Sequence, residues 1–569
     1  MKFCPNLNRN GCEKYKIVTC HDQKYVNAAL CADVLKMPST YRTQPMIGDL
    51  ETPGCSKWRR PASCAHSQKF ERARCRALFF ANMIEYIKRV FSQIPVLTGS
   101  YSIFLLFCLV TTLALVVSYR LYRALRTPLR GIQGPWLARF SRLWLLREAY
   151  NGTFMHTNPK LHEKYGPIVR IAPNEYSIDD PSAVQTIYGS RGRFTKSSWY
   201  DASGFPGQPN VFNDHNIERH AAGRRKVSSA YSMTNLVQLE PFIDDCTSIL
   251  CARLDELAHA ATLVDIPRWT QFYAFDVISE MTLGERFGCL TTGKDVSGII
   301  QTLESTLFYA ARVGIYSFLH PILFWFNMLV NAKGMGYLLN FVQDIVTTRM
   351  GKPLPDGKDE NAPEDFITKF QRIRQENPEK INKDDIMASA IANISAGSDT
   401  TSISLTSVIF HLCKFPDVLA KLRNELENAV RRGDITDPIT FKQAQNMPYL
   451  QAVIKEALRI HPATGLILGR VVPDGGATIA GRFFPAGTTV GINAWVAGRN
   501  KNVYGEDAEV FRPERWLEDA EAVKRREAYF LTVSGEEEVR EAVIPRVTHE
   551  GGTCESNEVL KPLARAMST

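Results

Sequence analysis

The longest apolar stretch of the chain lies between residues 90 and 119, where no charged residue occurs. Its last part, Tyr101–Tyr119, contains 19 residues, close to the ~20 that cross the hydrocarbon core of a bilayer. Tyrosines lie at both ends, where interfacial aromatic residues are common. The pattern predicts a transmembrane anchor over residues 94–119. The alternative, a buried core helix, is disfavoured because polar residues are few and no charge interrupts the stretch.

The charges on either side of this stretch predict its orientation. Four arginines follow it at positions 120, 123, 126 and 130, whereas Lys88 and Arg89 precede it. Counted from Met83, this bias places the following domain on the cytoplasmic side, and including residues 1–82 weakens the bias. The segment 127–136 contains Pro and Gly residues that do not continue a helix, so it predicts a stiff hinge.

From about Trp136 onward the pattern is mostly helical, with short islands typical of strands. Helical stretches are predicted at Val237–Ala261, Phe272–Leu283, Val296–Val313, Lys383–Phe415, Asp417–Arg432 and Tyr449–Ile460. Two hairpins are predicted, Ile168–Ile171 with Tyr176–Ile178 and Ile479–Phe484 with Thr488–Ile492, the second turning at residues 485–487. Phe318–Leu329 is apolar but short and contains Pro321, which indicates a core or membrane-dipping element. The predicted fold class is mainly α with small β-sheets.

Composition narrows the function classes. The chain has 569 residues, 45% hydrophobic and 22% charged, which excludes a disordered or collagen-like protein. Its net charge is +9, and residues 1–82 account for most of it, with 14 Lys or Arg against six Asp or Glu. The remaining 487 residues are therefore almost neutral, and we expect no nucleic-acid partner.

Residues 1–82 form an atypical basic segment that contains seven of the 13 cysteines: Cys4, Cys12, Cys20, Cys31, Cys55, Cys64 and Cys75. No two of them have the short C-x₂₋₄-C spacing of a zinc site, so we predict no metal-ligating residues. A signal peptide is disfavoured because no apolar region follows the first basic residues. The interpretation we favour is upstream sequence that is not translated natively, with the working start at Met83. A metal-binding or disulfide module is the alternative.

The sharpest chemical signal lies inside the predicted helix Lys383–Phe415, which reads AGSDTT from Ala396 to Thr401. Gly, Ser, Asp and Thr are mediocre helix formers, and Thr400 can turn its hydroxyl onto the Ala396 carbonyl. Gly397 lies beside that turn and Asp399 at its edge. The segment therefore predicts a notch in the helix that binds a small ligand whose reaction requires protons. A bend in an ordinary core helix is the alternative.

Three weaker signals accompany it. Glu456 and Arg459, at i and i+3 in KEALR, can pair on one helix face, and Arg515 in FRPERW could extend the pair into a network. His220 and Arg224, at i and i+4 in HAAGR, could grip an anionic group. Taken separately, each is also compatible with solvated surface charges.

In their order and spacing along the chain, HAAGR, AGSDTT, KEALR and FRPERW resemble the motifs of the cytochrome P450 family. The resemblance is to membrane-anchored fungal enzymes of the pisatin demethylase or secondary-metabolism type, and it runs from about residue 94 to Thr532. It implies a haem-thiolate monooxygenase of the endoplasmic reticulum membrane, single-pass with a cytoplasmic catalytic domain at residues 137–532. Such an enzyme oxidises a hydrophobic small molecule with electrons from NADPH through a cytochrome P450 reductase.

The resemblance also implies roles for individual residues. Asp399 and Thr400 would relay protons, and Ala396 and Gly397 would form the oxygen groove. Glu456, Arg459 and Arg515 would be structural, and His220, Arg224 and Arg470 (in GRVVP) would neutralise the haem propionates. Residues near Leu466–Leu468 and Ile391–Ser395 would line part of the substrate site.

One family motif is absent from its expected place. The haem-ligating segment F-G-x-G-x-R-x-C-x-G should follow FRPERW, but after Thr532 the chain continues as a non-family tail, residues 533–569. Cys554, in HEGGTCES, lacks the surrounding residues of that motif, so we do not expect it to bind iron. Val533-Ser534 is what a usual intron donor sequence encodes, which favours an unspliced intron. The alternatives are an inactive haem-less relative and a membrane-anchored protein without catalysis.

Overall fold

The computed structural model describes residues 99–189, 193–260, 262–330, 335–354 and 363–531. Helix α1 (Gly99–Arg126) belongs to one compact unit, and the residues from Pro128 onward belong to another. The basic segment 1–82, residues 94–98 of the predicted anchor, and the tail with Cys554 lie outside the described residues.

Helix α1 (Gly99–Arg126) covers most of the predicted anchor and continues beyond it. Its large apolar side chains are solvent-exposed in the isolated chain, with Leu109 and Leu115 each 66% exposed. The helix extends past Tyr119 because Arg, Leu and Ala are good helix formers, and it ends shortly before Pro128.

The segment predicted as a hinge packs against the first strand of the body. Leu129 and Ile132 are buried, and the Arg170 side chain donates to the Leu129 carbonyl at 2.7 Å. A Cβ on Gly134 would lie 2.1 Å from the Arg170 carbonyl oxygen, so only glycine permits this approach. The segment is therefore non-helical and held on the body from Leu129 onward.

The strands of the body are β1 (Ile168–Ala172), β2 (Glu175–Ile178), β3 (Thr195–Lys196), β4 (Arg470–Val471), β5 (Ala477–Ile479), β6 (Arg482–Phe484) and β7 (Thr489–Ile492). Among the described residues, five of them form one mixed sheet in the order β1-β2-β7-β4-β3. The β2–β7 pair is parallel, the other pairs of this sheet are antiparallel, and β5 and β6 form a separate two-stranded antiparallel sheet.

The first predicted hairpin is confirmed and the second is wrong. The antiparallel β1–β2 pair matches the first prediction. In the second region the chain turns at Ala480 and Gly481, whose φ values are +48° and +72°, so that β5 pairs with β6. Strand β7 instead joins β2 and β4 in the main sheet. The prediction failed because it placed the turn at the Pro-Ala-Gly sequence and did not anticipate a long-range partner for β7.

The body is otherwise helical, as predicted. Its first helices are α2 (Leu143–Asn151), α3 (Phe154–Tyr165), α4 (Ala183–Tyr188), α5 (Ile217–Val227), α6 (Met233–Val237), α7 (Glu240–His259), α8 (Ile266–Leu283), α9 (Cys289–Thr292), α10 (Ile299–Val313) and α11 (His320–Val330). The later helices are α12 (Met335–Gly351), α13 (Phe366–Glu376), α14 (Lys383–Gly397), α15 (Asp399–Lys414), α16 (Pro416–Arg432), α17 (Phe441–Gln445), α18 (Pro448–Ile460), α19 (Ala494–Ala497), α20 (Lys501–Tyr504) and α21 (Ala520–Ala528). Short 3₁₀ turns occupy Trp136–Arg139, Ser198–Ser203, Val296–Gly298, Gly314–Leu319 and Pro513–Leu517.

Among the described residues, Val296–Val330 is long and apolar enough to cross a membrane by length and composition, and the pair Lys383–Lys414 with Pro416–Arg432 passes the same test together but is bent by 106°. Within Val296–Val330, Ile299, Ile300 and Leu303 of α10 belong to the main core of the body, which is built from α7–α10 and α12–α18. The stretch also bends at Tyr316, whose φ is −122° and ψ 55°. We therefore interpret it as part of the body. The apolar part of α1, Phe104–Tyr119, is a shorter apolar helix.

Candidate active site

The long helix predicted over Lys383–Phe415 is interrupted at the AGSDTT segment. Helix α14 ends at Gly397 and α15 begins at Asp399, with Ser398 between them at φ −84° and ψ −58°. Thr400 donates its hydroxyl hydrogen to the Ala396 carbonyl at 2.9 Å, and Ser398 does the same to Ile394 at 3.1 Å. Hydroxyls that bond to carbonyls one turn earlier compete with the helix ladder and loosen it. The predicted local distortion is therefore present.

Residues of the segment face two different directions. Ala396 and Thr400, one turn apart, are exposed, and we call the space beside these two side chains the notch. Gly397 faces helix α8 instead, where an added Cβ would lie 3.0 Å from Ile278 Cδ1. Gly397 therefore permits the close packing of α14 on α8, whereas Ala396 and Thr400 border the notch.

The Asp399 carboxylate points to helices α8 and α10. Its Oδ1 atom accepts a hydrogen bond of 3.1 Å from Gln271 Nε2, which also donates to Glu304 Oε1 at 3.3 Å. Burial raises the pKa of Asp399 to about 6, and the nearby Glu304 charge adds to the rise, while the Gln271 bond opposes it. Among the described residues, Asp399 and Thr400 share no side-chain hydrogen bond. The carboxyl and the hydroxyl are thus close in the chain but separately bonded.

Glu456 is the centre of a buried charge network. Arg459 forms a bidentate pair with it, with N···O distances of 2.8 and 2.7 Å, and Arg515 donates its Nε hydrogen to Oε1 at 2.9 Å. The Arg512 backbone amide and the Trp516 indole also donate to this carboxylate, at 2.8 and 3.0 Å. The side chains of Glu456, Arg459 and Arg515 have no solvent exposure.

The arginines of this network hold neighbouring loops together. Arg459 donates to the carbonyls of Gly498, Ala508 and Val510, and Arg515 donates to those of Tyr504 and Asp507. Burial alone would raise the pKa of Glu456, but the bonds and charges of Arg459 and Arg515 together bring it below its ordinary value. The sequence motifs pointed to Glu456, Arg459 and Arg515, but not to Trp516 or the Arg512 amide.

Arg470 lies on β4 of the main sheet. It is 7% exposed and donates to the Tyr200 hydroxyl at 2.7 Å. Its guanidinium carbon lies 5.3 Å from the ring centre of Tyr188 and 5.5 Å from that of Tyr200. The Tyr188 hydroxyl in turn accepts the Ile492 amide of β7. The rings of both tyrosines therefore position a buried cation on β4, which lies between β7 and the edge strand β3.

His220 and Arg224 lie one turn apart on α5, whose first turn is capped by the Asn216 side chain. His220 is 4% exposed, whereas Arg224 is half-buried. The charge of His220 contributes to lowering the pKa of Asp214, after the larger effect of the Arg219 hydrogen bond. The structure therefore places His220 beside the loop that precedes α5.

Helix α10 links the notch to the Arg470 region. Glu304 faces Gln271 and Asp399, and seven residues later the Ala311 carbonyl accepts the Trp199 indole hydrogen at 3.4 Å. Seven helical residues span about 10 Å, and Trp199 precedes Tyr200, which bonds to Arg470. Helix α10 and the Trp199–Tyr200 segment thus connect the acidic groups near the notch with Arg470.

Helix α8 separates this region from the buried cysteines. Gln271 and Ile278 face Asp399 and Gly397, whereas Glu280, about 200° around the helix from Ile278, accepts the thiol hydrogen of Cys246. Burial raises the pKa of the Cys246 and Cys289 thiols, which disfavours a thiolate at either site. Cys413 lies about 20 Å along α15 from Thr400, and Cys108 is on α1. None of the described cysteines (Cys108, Cys246, Cys251, Cys289 and Cys413) lies beside the notch.

Comparison with known proteins decides the family. The cytochrome P450 family model matches residues 133–534. The chain belongs to the cytochrome P450 family. Pisatin demethylase of Fusarium vanettenii is 38% identical over 417 residues, covering 72% of this chain and 80% of that protein. A cytochrome P450 monooxygenase of Aspergillus terreus is 36% identical, covering 71% of this chain and 84% of that protein.

Another relative, a cytochrome P450 monooxygenase of Penicillium aethiopicum, is 34% identical over 72% of this chain and 83% of that protein. The resemblance inferred from the motifs is therefore confirmed, as are the fold class and the assignment as an oxidoreductase similar to fungal monooxygenases. Membership of the cytochrome P450 family implies a haem iron cofactor.

Proposed function

We propose that this protein is a haem-thiolate monooxygenase that oxidises a hydrophobic small molecule, as part of fungal secondary metabolism. Electrons would come from NADPH through a cytochrome P450 reductase, with O₂ as the other substrate. The observation that supports this most is the notch: an exposed hydroxyl, an adjacent carboxyl of raised proton affinity and a local helix break, in a chain of the P450 family.

The residues around the notch would lie against a haem bound there. Small Ala396 and the Thr400 hydroxyl leave space on an exposed helix face. His220, Arg224 and Arg470 would hold the propionates, because buried and half-buried cations pair favourably with carboxylates. Haem iron with a thiolate ligand supplies oxygen activation in this family. The described cysteines do not provide that thiolate, so the residue that would supply it is not among them.

Asp399 and Thr400 would manage protons at the notch. A carboxyl with a pKa of about 6 exists in both protonation states near neutral pH, so it can take a proton from water and release it again. Asp399 is held toward Gln271, so delivery to the Thr400 side requires the carboxyl to rotate away from that amide or to act through a water. Thr400 would orient the proton donor at the notch.

The half-buried residues near Leu466–Leu468 and Ile391–Ser395 would line the substrate site. The Leu466–Leu468 segment leads directly into β4, where Arg470 is placed, and Ile391–Ser395 lies one turn before the notch. Apolar side chains on both segments favour a hydrophobic substrate.

The proposed location is the endoplasmic reticulum membrane, with residues 94–119 as a single anchor and residues 137–532 as the cytoplasmic catalytic domain. The exposed apolar side chains of α1 support a lipid environment for this helix. The arginines that follow Tyr119 support the orientation. The expected partners of the catalytic domain are the reductase and the lipid bilayer in which the anchor is inserted.

Sequencing the native transcript from the Tyr529 codon to its stop tests this proposal. A spliced message that encodes a Phe-Gly segment with a Cys-x-Gly ligand would supply the missing thiolate and support the monooxygenase. A message that encodes the present tail would favour the haem-less alternative. In that case the chain, mixed with haemin, reduced and exposed to carbon monoxide, should lack the absorption band typical of thiolate-ligated haem.

A further inference from the structure

Glu304 on α10 and Asp399 on α15 share one amide group. Gln271 Nε2, on α8, donates to Asp399 Oδ1 at 3.1 Å and to Glu304 Oε1 at 3.3 Å. An amide nitrogen carries two hydrogens, so it can serve both carboxylates at once. The two carboxylate oxygens are therefore separated by no more than the length of two hydrogen bonds, although they come from different helices.

Glu304 lies at the solvent boundary of the body. Its side chain is half-buried, and Gln301 and Phe308, one turn before and one turn after it on α10, are exposed. Within the described residues its carboxylate accepts one hydrogen bond, from Gln271. A carboxylate has about four acceptor positions, so Glu304 can bond to water while it stays bonded to Gln271. It can therefore exchange protons with solvent in this arrangement.

The two neighbours of Asp399 act on its proton affinity in opposite directions. A like charge disfavours an ionised carboxyl, and the Glu304 charge accordingly raises the pKa of Asp399. The Gln271 hydrogen bond favours the ionised form and lowers this pKa. Among the described residues, burial, Gln271 and Glu304 are the influences on this pKa, with burial the largest.

Charged side chains elsewhere on the helices that surround Asp399 have other partners. They are Arg268 with the Phe272 ring, Asp276 with the amides of α9, Glu280 with Cys246, Arg312 with the Tyr150 ring, His411 with Ser407, and Glu456 with Arg459. His411 lies about 18 Å along α15 from Asp399. The two carboxyls and their shared amide are thus a separate electrostatic group.

We propose that Glu304 and Asp399 form a carboxyl pair that stores one proton beside the notch, and that Glu304 passes protons from solvent to Asp399. Gln271 is the positioning residue of this pair, because it holds both carboxyls within reach of each other. Glu304 acts through Asp399 and does not border the notch. The inference rests on the proposed function, since it supplies protons to the same notch.

The transfer changes only O–H bonds. A protonated Glu304 releases its proton to the ionised Asp399 through one bridging water, and Glu304 then takes another proton from solvent. No electrons move, and no co-reactant is consumed. Gln271 keeps Asp399 on the α8 side while the proton arrives. A later rotation of Asp399 toward Thr400 delivers that proton at the notch.

The pH dependence of folding stability tests the pair without haem. The full chain is compared with its Asp399→Asn derivative by denaturant unfolding from about pH 4 to pH 8. This comparison is made in the parent chain and in the Glu304→Gln and Gln271→Leu backgrounds. The gain from Asp399→Asn grows as pH rises toward the folded-state pKa of Asp399, about 6 in the parent, and is complete above it. Glu427→Gln and Gln301→Leu, at exposed positions, are the matched controls.

The two backgrounds should shift the profile in opposite directions. Glu304→Gln removes a like charge, so the gain from Asp399→Asn should be smaller and complete at lower pH. Gln271→Leu removes the bond that favours the ionised carboxyl, so the gain should be larger and complete at higher pH. We expect each change to be about threefold to tenfold in the unfolding constant. Glu304→Asp, which keeps the charge, and both controls should behave as the parent chain does.

A merely structural contact would change stability equally at all pH values. An unchanged pH profile in the Glu304→Gln background, or shifts in the same direction in both backgrounds, would therefore overturn the carboxyl pair.

Product formation tests the transfer itself, in the haem-loaded enzyme encoded by a spliced message. Glu304→Gln should lower the product formed per NADPH about tenfold. The loss should lessen at low pH, where solvent protonates Asp399 directly, and Glu427→Gln should match the parent. An unchanged yield in Glu304→Gln, or a loss that is equal at all pH values, would overturn the role of Glu304. A parent enzyme that forms no product would overturn the proposed function instead, and the unfolding profiles would still decide the carboxyl pair.

Discussion

Gln271 Nε2 lies 3.1 Å from Asp399 Oδ1 and joins residues that are 128 positions apart in the chain. The same amide nitrogen is 3.3 Å from Glu304 Oε1, so one amide group bridges two carboxylates from different helices. The Asp399 carboxylate is therefore held on the α8 side of helix α15, while the Thr400 hydroxyl is held by Ala396 beside the notch. A proton that moves between them requires a change in one of these bonds.

Asp399→Asn should make the protein more stable above pH 6. Burial raises the pKa of Asp399 to about 6 from an ordinary 3.8, so between these values the folded protein holds a proton that the unfolded chain has lost. The free energy of unfolding therefore falls as pH rises from about 4 to 6 and stays lower above that range. The asparagine variant removes this cost, about 2–3 kcal/mol.

Denaturant unfolding at pH 7.5 and pH 4 measures this effect. The stability difference between Asp399→Asn and the parent chain should disappear at the lower pH. Asp474→Asn, at an exposed turn, is the control and should show no such dependence. An equal stability difference at both pH values would rule out the proposed titration of Asp399.

Thr400→Ala should separate electron consumption from product formation in a haem-loaded, reductase-coupled enzyme. The substitution removes the exposed hydroxyl at the notch, so proton delivery is no longer oriented there. Product formed per NADPH should fall about tenfold or more, while NADPH oxidation continues. Thr401→Ala, one residue further along α15, serves as the control. Unchanged product per NADPH in Thr400→Ala would eliminate the proton-relay role.

Glu456→Ala should destabilise the fold strongly. Within the described residues, its carboxylate accepts five hydrogen bonds, from Arg459 (two), Arg515, the Arg512 amide and Trp516. Its removal leaves two buried guanidinium groups without their carboxylate, at a cost of about 3–5 kcal/mol. Urea unfolding, or the yield of soluble protein where the variant does not fold, measures the loss.

The matched control for that prediction is Glu509→Gln, because Glu509 also pairs with an arginine, Arg499, but is 61% exposed. Its substitution should cost less than about 1 kcal/mol. Similar losses of unfolding free energy in Glu456→Ala and Glu509→Gln would show that the buried network stabilises the fold no more than an exposed ion pair does.

Two charges in α1 should release the protein from membranes. Leu109→Arg with Leu115→Arg places a cation at each of two exposed apolar positions of the helix. Each charge near the bilayer centre makes membrane insertion of the helix less favourable by about 2.5–3.5 kcal/mol. After an alkaline wash, the parent chain should sediment with membranes and the double variant should remain in the supernatant. Val430→Arg, 52% exposed on α16, should behave as the parent chain. Sedimentation of the double variant would contradict the anchor.

Local features of the fold could be predicted from the sequence alone. The helical stretches and the β1–β2 hairpin follow from periodicity and turn residues within a few positions of each other, and the structure confirms them. The Glu456–Arg459 pair, at i and i+3, also follows from helical geometry. The same reasoning misplaced β7, because its partner β2 is more than 300 residues away.

Only part of the candidate site could be predicted from the sequence in the same way. The motif at the notch predicted the Thr400–Ala396 bond, which is local. It did not predict that Gly397 would face Ile278, or that Gln271 would hold Asp399. Those contacts depend on how α8 packs against α14 and α15, and neither Gln271 nor Ile278 belongs to a recognisable motif.

The sequence by itself determined the anchor candidate, the helices, the order of the family motifs and the absence of the ligand motif after Thr532. Tertiary structure alone decided which distant groups meet, such as Trp516 with Glu456 and Gln271 with Asp399. The physical reason is that periodicity and capping act within about one helical turn. Contacts across the body arise from burial and strand register, which place residues from separate segments side by side.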